Sequence, residues 1–565
     1  MTTRRRAIGA ELTSEGVHFR VWAPAHTSLS VVIEDGPEVE LEREADGHFS
    51  GFVPNVKAGA HYRFRLGDQL FPDPASRFQP EGPHGPSLVV DPTFAWSEWG
   101  GVEPKVFYEM HIGTFTPGGT FAVAAEKLPL LVDAGVNVIE IMPLAEFPGT
   151  FGWGYDGVDL WAPSHLYGTP DDFRAFVDTA HTLGLGVILD VVYNHFGPDG
   201  CYVRQFTPQY FIDRKNEWGD VLDFAAPGVR EFIAENAAYW VDEFHLDGLR
   251  LDATQSIEDL SVIGELVQRA REAAGGRRII IVAENERQEV ALIDEHGVDA
   301  MWNDDWHHAA MVALTGRSEA YYTDYRGRPQ EFVSMARHGF LFQGQRYKWQ
   351  NMPRGTPSLH LPPRHFICFL QNHDQVANSA TGARIQRLTS PGRYRAMTAL
   401  LLLQPQMPML FQGQEFGSSK PFLYFADHKP ELAAAVAEGR REFLSQFPSI
   451  ASHEVALPHA RETFEACRLD WDERDEEIVE LHRTLLRLRR DEPLIGAAVL
   501  AEDAFLLRWA DRLLIINLGR DLVLDIAPEP LLAPPRDGTW TLLWSSDVPV
   551  DTRHIPAECA VLFEA

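Results

Sequence analysis

The sequence has little cysteine and little positive charge. Its 565 residues include four cysteines, Cys201, Cys368, Cys467 and Cys559. They are scattered, with no CxxC pair and no zinc-type spacing, so they argue against a disulfide framework and favour a reducing, cytoplasmic location. The 50 lysines and arginines are outnumbered by 81 aspartates and glutamates, which gives a net charge of −31. This balance argues against nucleic acid or an anionic membrane as partner, because both require a basic surface.

Long apolar segments and nucleotide motifs are also missing. Arg4, Arg5 and Arg6 are followed by Glu11 and polar residues rather than by the apolar core of a signal peptide. No run of ~20 apolar residues occurs, as a membrane-spanning helix would require. There is no P-loop, and no GxGxxG motif follows a predicted strand. We therefore expect no membrane span and no cofactor.

The composition nevertheless provides a large core. With 45% apolar and 11% aromatic residues, the chain is not disordered. In the first ~95 residues, segments 17–22 and 61–66 alternate in polarity and end at Pro or Gly, which predicts half-buried strands. The Pro- and Gly-rich run 71–86 is typical of a linker. Residues 1–95 are therefore predicted to form an N-terminal β-sandwich.

Strands and helices alternate after about residue 106. Thr169-Pro170-Asp171-Asp172 marks a helix start, and the apolar strand that follows this helix is typical of a parallel sheet buried on both faces. Eight strands are predicted, at 106–111, 138–142, 186–192, 248–251, 278–283, 299–302, 365–370 and 408–411. Eight such units indicate an α/β fold, a (β/α)₈ TIM barrel over residues 96–490.

Two long insertions interrupt the predicted barrel. Residues 193–226 and 315–363 are rich in aromatic side chains, and loops of this length in a barrel usually cover an active site rather than bury a core. Near the end of the barrel, Ile478, Leu481, Leu485 and Leu488 align on one helical face. The β-rich residues 491–565 are predicted to form a C-terminal β domain.

Charged residues stand where the predicted strands end. Active sites of such barrels form at the C-terminal ends of the strands. Those ends carry Asp190 with His195, Arg250 with Asp252, Glu284, and His373 with Asp374. Each carboxylate alone could instead be a helix cap or a salt-bridge partner. Their repeated occurrence at strand ends favours a catalytic site.

Arg250, Asp252 and Glu284 suggest a specific chemistry. Arg250 and Asp252 are two residues apart in a strand, so their side chains point the same way. A guanidinium beside Asp252 favours its ionised form, as a nucleophile requires. Glu284 follows an apolar strand, which favours retention of its proton. One ionised and one protonated carboxyl group are the pair that glycoside hydrolysis requires.

Four ordered segments carry a family resemblance. Residues 190–195 (DVVYNH), 248–252 (GLRLD), 282–285 (VAEN) and 371–374 (QNHD) resemble the four signature regions of the α-amylase family, the family 13 glycoside hydrolases. Residues 19–24 (FRVWAP) are similar to the β-sandwich that precedes the barrel in branching and debranching members.

The resemblance implies a role for each matched residue. It implies Asp252 as nucleophile, Glu284 as general acid and base, and Asp374 as stabiliser of the transition state, with retention of anomeric configuration. Asp190 would be structural. Arg250 would orient Asp252, while His195 and His373 would bind the sugar being cleaved.

Five further segments resemble those members of the α-amylase family that release trehalose. Residues 190–200, 210–220, 244–248, 283–286 and 303–308 carry this similarity, which implies cleavage of the α-1,4 bond beside a terminal trehalose. The expected substrate is an uncharged maltooligosyltrehalose or maltodextrin, and the expected state is a monomer or weak homo-oligomer. The predicted substrate contacts are Tyr155, Asp156, His195, Trp218, Arg250, Ala253, Thr254, Glu286, Asp304, Asp305, Trp306, His307, His308, His373 and Gln375.

Several of these contacts have structural alternatives. Tyr155 could stack on the sugar or simply pack its loop, and Trp218 could contact trehalose or anchor its loop. Glu286 could cap a helix. The Asp-Asp-x-His-His run 304–308 could likewise lie at a helix N-terminus.

The sequence indicates no metal site, and the expected trehalose-releasing activity has alternatives. His307 and His308 are adjacent and lack the i, i+4 spacing of a helical metal pair. No acidic calcium loop accompanies Asn194, near which some amylases hold calcium, so we predict no required metal. A glucan branching transferase and an α-1,6 debranching hydrolase remain as alternatives. An inactive glucan-binding protein on the same fold is the alternative without catalysis.

Overall fold

The computed structural model describes residues 4–216, 219–450, 453–524, 529–535, 538–547 and 553–565. They form an N-terminal β-sandwich, a central closed barrel of eight strands and a C-terminal β domain, which confirms the predicted fold class. Among the helices in these ranges, none combines the length and the apolar character needed to cross a bilayer.

Two small antiparallel sheets form the N-terminal sandwich. Buried and less buried residues alternate along its longer strands, because successive side chains of a strand point to opposite faces. The inward-facing side chains, among them Phe19, Val31 and Phe64, make a separate core. The first sheet contains Glu11–Leu12, Gly16–Trp22, His48–Pro54 and Glu42–Arg43; the second contains Glu38–Glu40, Ser30–Ile33, His61–Leu66 and Gln69–Phe71, with Ser87–Leu88 beside His61–Leu66.

The Pro- and Gly-rich run 71–86 is not the exposed linker that its composition predicts. Most of its residues are buried. The Arg77 guanidinium lies 4.4 Å from the ring of Trp161 and 4.5 Å from that of Tyr239, both in the barrel unit. Asp73 is also buried and accepts hydrogen bonds within the protein. Because Asp73 and Ser76 have hydrogen-bond partners, burial of this irregular segment against the barrel leaves these two side chains satisfied.

Eight parallel strands close the barrel, and each pairs with its neighbours in chain order, the last with the first. The strands are β1 (Phe107–Met110), β2 (Val138–Ile141), β3 (Gly186–Val191), β4 (Gly248–Leu251), β5 (Ile280–Ala283), β6 (Ala300–Trp302), β7 (Phe366–Phe369) and β8 (Met407–Phe411). All their residues are buried, because the interior and the surrounding helices cover both faces of the sheet. The eight predicted strands are therefore confirmed.

Helices surround this sheet. Thr169 caps the helix Pro170–Thr182 in a capping box with Asp172, as the sequence predicts. The helices between β1 and β8 are Ile112–Phe115, Phe121–Ala125, Leu128–Ala134, Pro170–Thr182, Val203–Phe206, Pro227–Glu243, Ser261–Ala273, Ala291–Asp294, Asp304–Thr315, Pro329–His338, His373–Ala377 and Pro391–Leu403.

Each of the two insertions carries a short hairpin, and the second also contains the helix Pro329–His338. Residues 193–226 carry a short hairpin of Phe211–Asn216 and Gly219–Leu222. The second insertion carries the hairpin Arg346–Tyr347 with Met352–Pro353. Its helix, however, packs against the C-terminal domain, where the rings of Phe332 and Phe505 stack at 5.6 Å. The prediction that residues 315–363 cover the site rather than bury a core is therefore wrong for this helix.

The C-terminal region begins with helices and ends in a sheet. Val479, Leu481 and Leu485 form the buried stripe of the last helix, where amphipathic spacing predicts one. The helices after β8 are Pro430–Leu444, Arg461–Ala466 and Glu476–Leu488. The sheet contains Gly496–Ala501, Ala504–Arg508, Arg512–Asn517, Cys559–Glu564 and Thr541–Ser545, in that order, and Leu522–Val523 pairs with His554–Ile555 beside it.

A buried carboxylate lies near the N-terminal end of the barrel strands. Asp247, directly before β4, is fully buried. Its Oδ1 accepts from the Trp99 indole at 2.7 Å. Its Oδ2 accepts from the Val187 backbone N–H at 2.9 Å and lies 2.8 Å from His181 Nε2. Asp247 thus ties the segment before β1 to β3 and to the preceding helix.

We expect Asp247→Ala to lower the free energy of unfolding by about 3 kcal/mol, because buried donors lose their charged acceptor. Denaturant unfolding followed by tryptophan fluorescence measures this change. Asp472→Ala serves as the control, since Asp472 is exposed, and we expect a change within about 0.5 kcal/mol. Equal stability of the two variants would contradict the structural role of Asp247.

Candidate active site

Three carboxyl groups meet at the C-terminal ends of the barrel strands. Asp252 follows β4 and Glu284 follows β5 directly. Asp374 lies in the short helix His373–Ala377 after β7, and its side chain is 43% exposed. The closed parallel sheet brings these strand ends together, as the sequence predicts.

Arg250, within β4, contacts the carboxyl groups of Asp190, Asp252 and Glu284. Its guanidinium is fully buried and lies 4.1 Å from the ring centroid of Trp302. One terminal nitrogen donates to Asp190 Oδ2 at 2.7 Å and to Asp252 Oδ1 at 2.8 Å. The other lies 3.0 Å from Glu284 Oε2. A single buried cation therefore holds three carboxyl groups, which would otherwise repel one another.

Asp252 is held through both carboxylate oxygens. Arg250 binds Oδ1, and the Asn194 side-chain amide donates to Oδ2 at 3.2 Å. The Asn194 side-chain oxygen in turn contacts His195 Nδ1. We did not predict Asn194 as a contact of the nucleophile. The signals in the sequence were its place in the signature segment 190–195 and its position just after an apolar strand.

Glu284 is poised to carry a proton. Burial raises the pKa of Glu284 to about 8; Arg250 opposes this shift, while the charges of Asp252 and Asp374 add to it. Glu284 Oε2 accepts from the Ala253 backbone N–H at 2.9 Å and also faces Arg250. Oε1 is therefore the oxygen that can carry the proton near neutral pH.

Ala253 and Thr254 orient Glu284. Ala253 adopts a left-handed conformation with φ of 42°, which accompanies the N–H contact to the Glu284 side chain. The Thr254 hydroxyl donates to the Glu284 backbone oxygen at 2.6 Å, and Thr254 is fully buried. The Thr254 hydroxyl is thus committed to the backbone of the neighbouring strand end, and the predicted contact of Thr254 with substrate stays a prediction.

Tyr155 lies on one wall of the cleft. Its hydroxyl donates to Asp190 Oδ2 at 2.6 Å. Its ring stacks on His373 with centroids 5.1 Å apart and an angle of 24°. His195 Nε2 lies 3.1 Å from the Tyr155 backbone oxygen, and Asp156 lies 3.4 Å from His428. These predicted contacts come together beside Asp252, and their roles toward substrate stay predictions.

The next group of predicted contacts lies at the start of helix Asp304–Thr315, where successive side chains point in different directions. Burial raises the pKa of Asp304 to about 7, Arg354 opposes this shift, and Glu286, Asp305 and Asp374 add to it. Asp304 therefore lies close to the other acids.

Asp305 and Trp306 are buried elsewhere. Asp305 accepts from the Leu341 and Phe342 backbone N–H groups and from Tyr325. Trp306 donates to a buried glutamine at 3.0 Å. Both side chains are committed to partners inside the protein, and their predicted contacts with substrate stay predictions.

His307 and His308 are buried in the same helix. Burial lowers the pKa of His307 to about 3 and that of His308 well below its usual value, so both are neutral. His307 Nδ1 lies 3.0 Å from the Leu370 backbone oxygen. His307 is thus held by the backbone of the neighbouring strand end, and its predicted contact with substrate stays a prediction.

The remaining predicted contacts involve the second insertion. The Gln375 side-chain oxygen accepts from the hydroxyls of Tyr321 and Tyr322, both at 3.0 Å. Glu286 Oε1 accepts from Gln350 Nε2 at 2.5 Å, so Glu286 connects β5 to the hairpin of the insertion. Trp218 lies outside the described residues.

A metal-like spacing occurs away from the cleft. Within the ranges described above, the one group of His, Cys, Asp and Glu with ligand-like spacing is Glu44, Asp46 and His48 in the N-terminal sheet. The Arg20 guanidinium already binds Glu44 and Asp46. This cluster is therefore an ion-pair network around a cation that the protein supplies.

Comparison with known proteins adds to this geometry. The family model described as "Alpha amylase, catalytic domain" matches residues 93–206, and a domain of unknown function, DUF3459, matches residues 494–563. A malto-oligosyltrehalose trehalohydrolase from Deinococcus radiodurans is 42% identical over 85% of this chain and 82% of its own length. One from Saccharolobus solfataricus is 38% identical over 86% and 87%. A crystal structure of an alpha-amylase candidate from Salmonella typhimurium superposes with a TM-score of 0.91 at 37% identity, covering 100% of both chains.

Proposed function

The chain belongs to the malto-oligosyltrehalose trehalohydrolases of the α-amylase family, and from this premise we propose how its site hydrolyses the α-1,4-glucosidic bond next to a terminal trehalose. The reaction releases trehalose and a shorter maltooligosaccharide. The observation that carries the proposal is the placement of Asp252 and Glu284 on one buried guanidinium, that of Arg250.

In the first step, Glu284 donates its proton to the glycosidic oxygen as that bond breaks. Trehalose leaves, and an Asp252 oxygen forms a covalent bond to the anomeric carbon of the remaining glucan. Glu284, now ionised, takes a proton from a water molecule that attacks the same carbon. The Asp252 ester bond breaks, and the glucan leaves with its original anomeric configuration.

Other residues of the site position the sugar. We assign Asp374 and His373 to the ring hydroxyls of the sugar being cleaved, since Asp374 is partly exposed near Glu284 and the His373 ring stacks on Tyr155 in the wall of the cleft. We assign Glu286 and Asp304 to the trehalose half of the substrate. Glu286 contacts Gln350 and therefore lies beside the hairpin of the second insertion.

The relatives favour this function over the alternatives. They support trehalose release rather than a branching transferase or an α-1,6 debranching hydrolase. An inactive glucan-binding protein is disfavoured because Asp252, Glu284 and Asp374 are all present.

We also propose a cytoplasmic enzyme that works as a monomer or weak homo-oligomer. All four cysteines, each within the described part of the chain, are unpaired, as is usual in a reducing compartment. Every residue assigned above comes from one chain, so no partner subunit is needed to complete the site.

The test is a product assay with three substrates. The purified protein is incubated with maltotriosyltrehalose, a linear maltodextrin and a branched glucan, and the products are separated by chromatography. We expect trehalose and maltotriose to appear from the first substrate faster than any product from the other two. Release of glucose or maltose at a higher rate than trehalose would overturn the proposal.

A further inference from the structure

Glu109 is a buried acid that the reaction described above does not use. It lies in β1, inside the barrel, and is 1% exposed. Its Oε1 lies 2.5 Å from His373 Nδ1, and its Oε2 accepts the His373 backbone N–H at 3.0 Å. One carboxylate therefore fixes both the ring and the backbone of His373, across the intervening strand β8.

The second ring nitrogen of His373 also faces a carboxylate. His373 Nε2 lies 3.5 Å from Asp374 Oδ2. Ionised carboxylate oxygens accept hydrogen bonds but cannot donate them. A neutral imidazole carries a proton on only one nitrogen, so only the doubly protonated ring can donate from Nδ1 to Glu109 and also direct an N–H toward Asp374, whose contact is an ion pair rather than a hydrogen bond.

We propose that Glu109 is a positioning residue that keeps His373 in its doubly protonated, cationic form, with the Nε2 proton directed toward Asp374 and the sugar. The inference rests on the proposed function and deepens it, because it assigns a protonation state to a residue that binds the sugar being cleaved.

The surroundings of His373 agree with this state. Burial alone would lower the pKa of His373, but the charges of Asp374 and Glu109 outweigh it and raise the pKa to about 9. The ring of Tyr155 stacks on the imidazole, and an aromatic face attracts a cation. The titratable and charged groups that face His373 are Glu109, Glu140, His111, Tyr155, Arg250 and Asp374.

Sugar binding without turnover provides the test. The variant Glu284→Gln removes the acid that would otherwise dominate the high-pH limb of catalysis. Calorimetry then measures the Kd of maltotetraose between pH 6 and pH 10. Because the binding form of His373 is the protonated one, affinity is full below its pKa and falls as the pH rises through about 9.

The decisive variant is Glu109→Gln in this same background. The amide can still donate to His373 Nδ1, so the contact is kept while the charge is lost, and the ring becomes neutral more easily. We expect the loss of affinity to move to lower pH by about one unit or more. Glu140→Gln is the matched control on the neighbouring strand. Glu140 is buried like Glu109 but makes no hydrogen bond to His373, and burial raises its pKa well above its usual value, so its replacement should move the limb less than Glu109→Gln does.

Two results would overturn the inference. The first is a Glu109→Gln profile that coincides with that of Glu284→Gln alone. The second uses His373→Asn in the Glu284→Gln background, a variant that does not depend on the folding of Glu109→Gln. If affinity still fell at high pH in this variant, the fall would not come from His373. Maltotetraose binding is independent of trehalose release, so failure of the product assay would leave this test intact.

Discussion

Replacing Asp252 with Asn is expected to reduce kcat for trehalose release by at least about 10⁴-fold, since an enzyme that loses its nucleophile retains little catalysis. The amide has nearly the same size as the carboxylate, so Arg250 and Asn194 can still surround it. It cannot, however, form the covalent bond to the anomeric carbon. Initial rates with maltotriosyltrehalose, measured as trehalose released, check the prediction.

Asp304→Asn is the matched control for this experiment. Asp304 is another acid of the same cleft, and burial raises its pKa to about 7. At pH 6 it is mostly protonated, so an amide resembles its resting state, and we expect a loss of less than about 100-fold. If Asp252→Asn kept a tenth of the activity, the nucleophile would have to be another residue.

The second large effect is expected for Glu284→Gln. Loss of the proton donor should lower kcat for maltotriosyltrehalose by about 10²- to 10⁴-fold. With α-maltotriosyl fluoride the loss should be far smaller, because fluoride leaves without a proton and only the second step lacks its base. Parallel initial rates on the two substrates give the comparison. Asp252→Asn, by contrast, should be inactive on both substrates.

Glu284 also sets an expected pH dependence. Its pKa is raised to about 8, so the proton-donating form dominates at lower pH. In the unmodified enzyme, kcat/KM for the natural substrate should fall as the pH rises through about 8. This fall in kcat/KM should be absent when the Glu284→Gln variant hydrolyses α-maltotriosyl fluoride. A fall in kcat/KM at the same pH in that variant would assign the titration to a different group.

The barrel could be predicted because its strands are apolar runs that end at charged residues. Asp252 and Glu284 follow this rule, and the closed sheet brings together strand ends that are more than a hundred residues apart in the sequence, such as those before Asp252 and Asp374. Contacts within the site depend on the direction of each side chain, and the sequence specifies these directions less well than it specifies the strands.

The helix after β6 shows this limit. Successive residues of a helix differ by about 100° in direction, so the run Asp304, Asp305, Trp306 and His307 cannot face one cleft together. Asp304 lies beside the acids, while Asp305 binds the backbone of the insertion. A motif that covers adjacent helical residues therefore cannot direct all of its side chains into one cleft.

Glu109 was missed for another reason. It lies inside a strand that otherwise consists of Phe107, Tyr108 and Met110, and we examined strand ends for chemistry. A lone acid within a buried strand is costly unless it is paired, so its occurrence there was a usable signal. The partner, His373, lies 264 residues away in the chain and could not be identified from spacing.

The segment before β1 has a practical consequence for anyone who shortens this protein. Val102 and Trp99 pack with the side chains that fill the barrel, and a Cβ atom on Gly186 would lie 2.5 Å from Val102 Cγ1. A truncated catalytic fragment that starts at the first strand would therefore begin with a cavity at its N-terminal end and with Asp247 deprived of Trp99. We expect soluble expression only from start sites upstream of Trp99, so the minimal folding unit is longer than the catalytic motifs suggest.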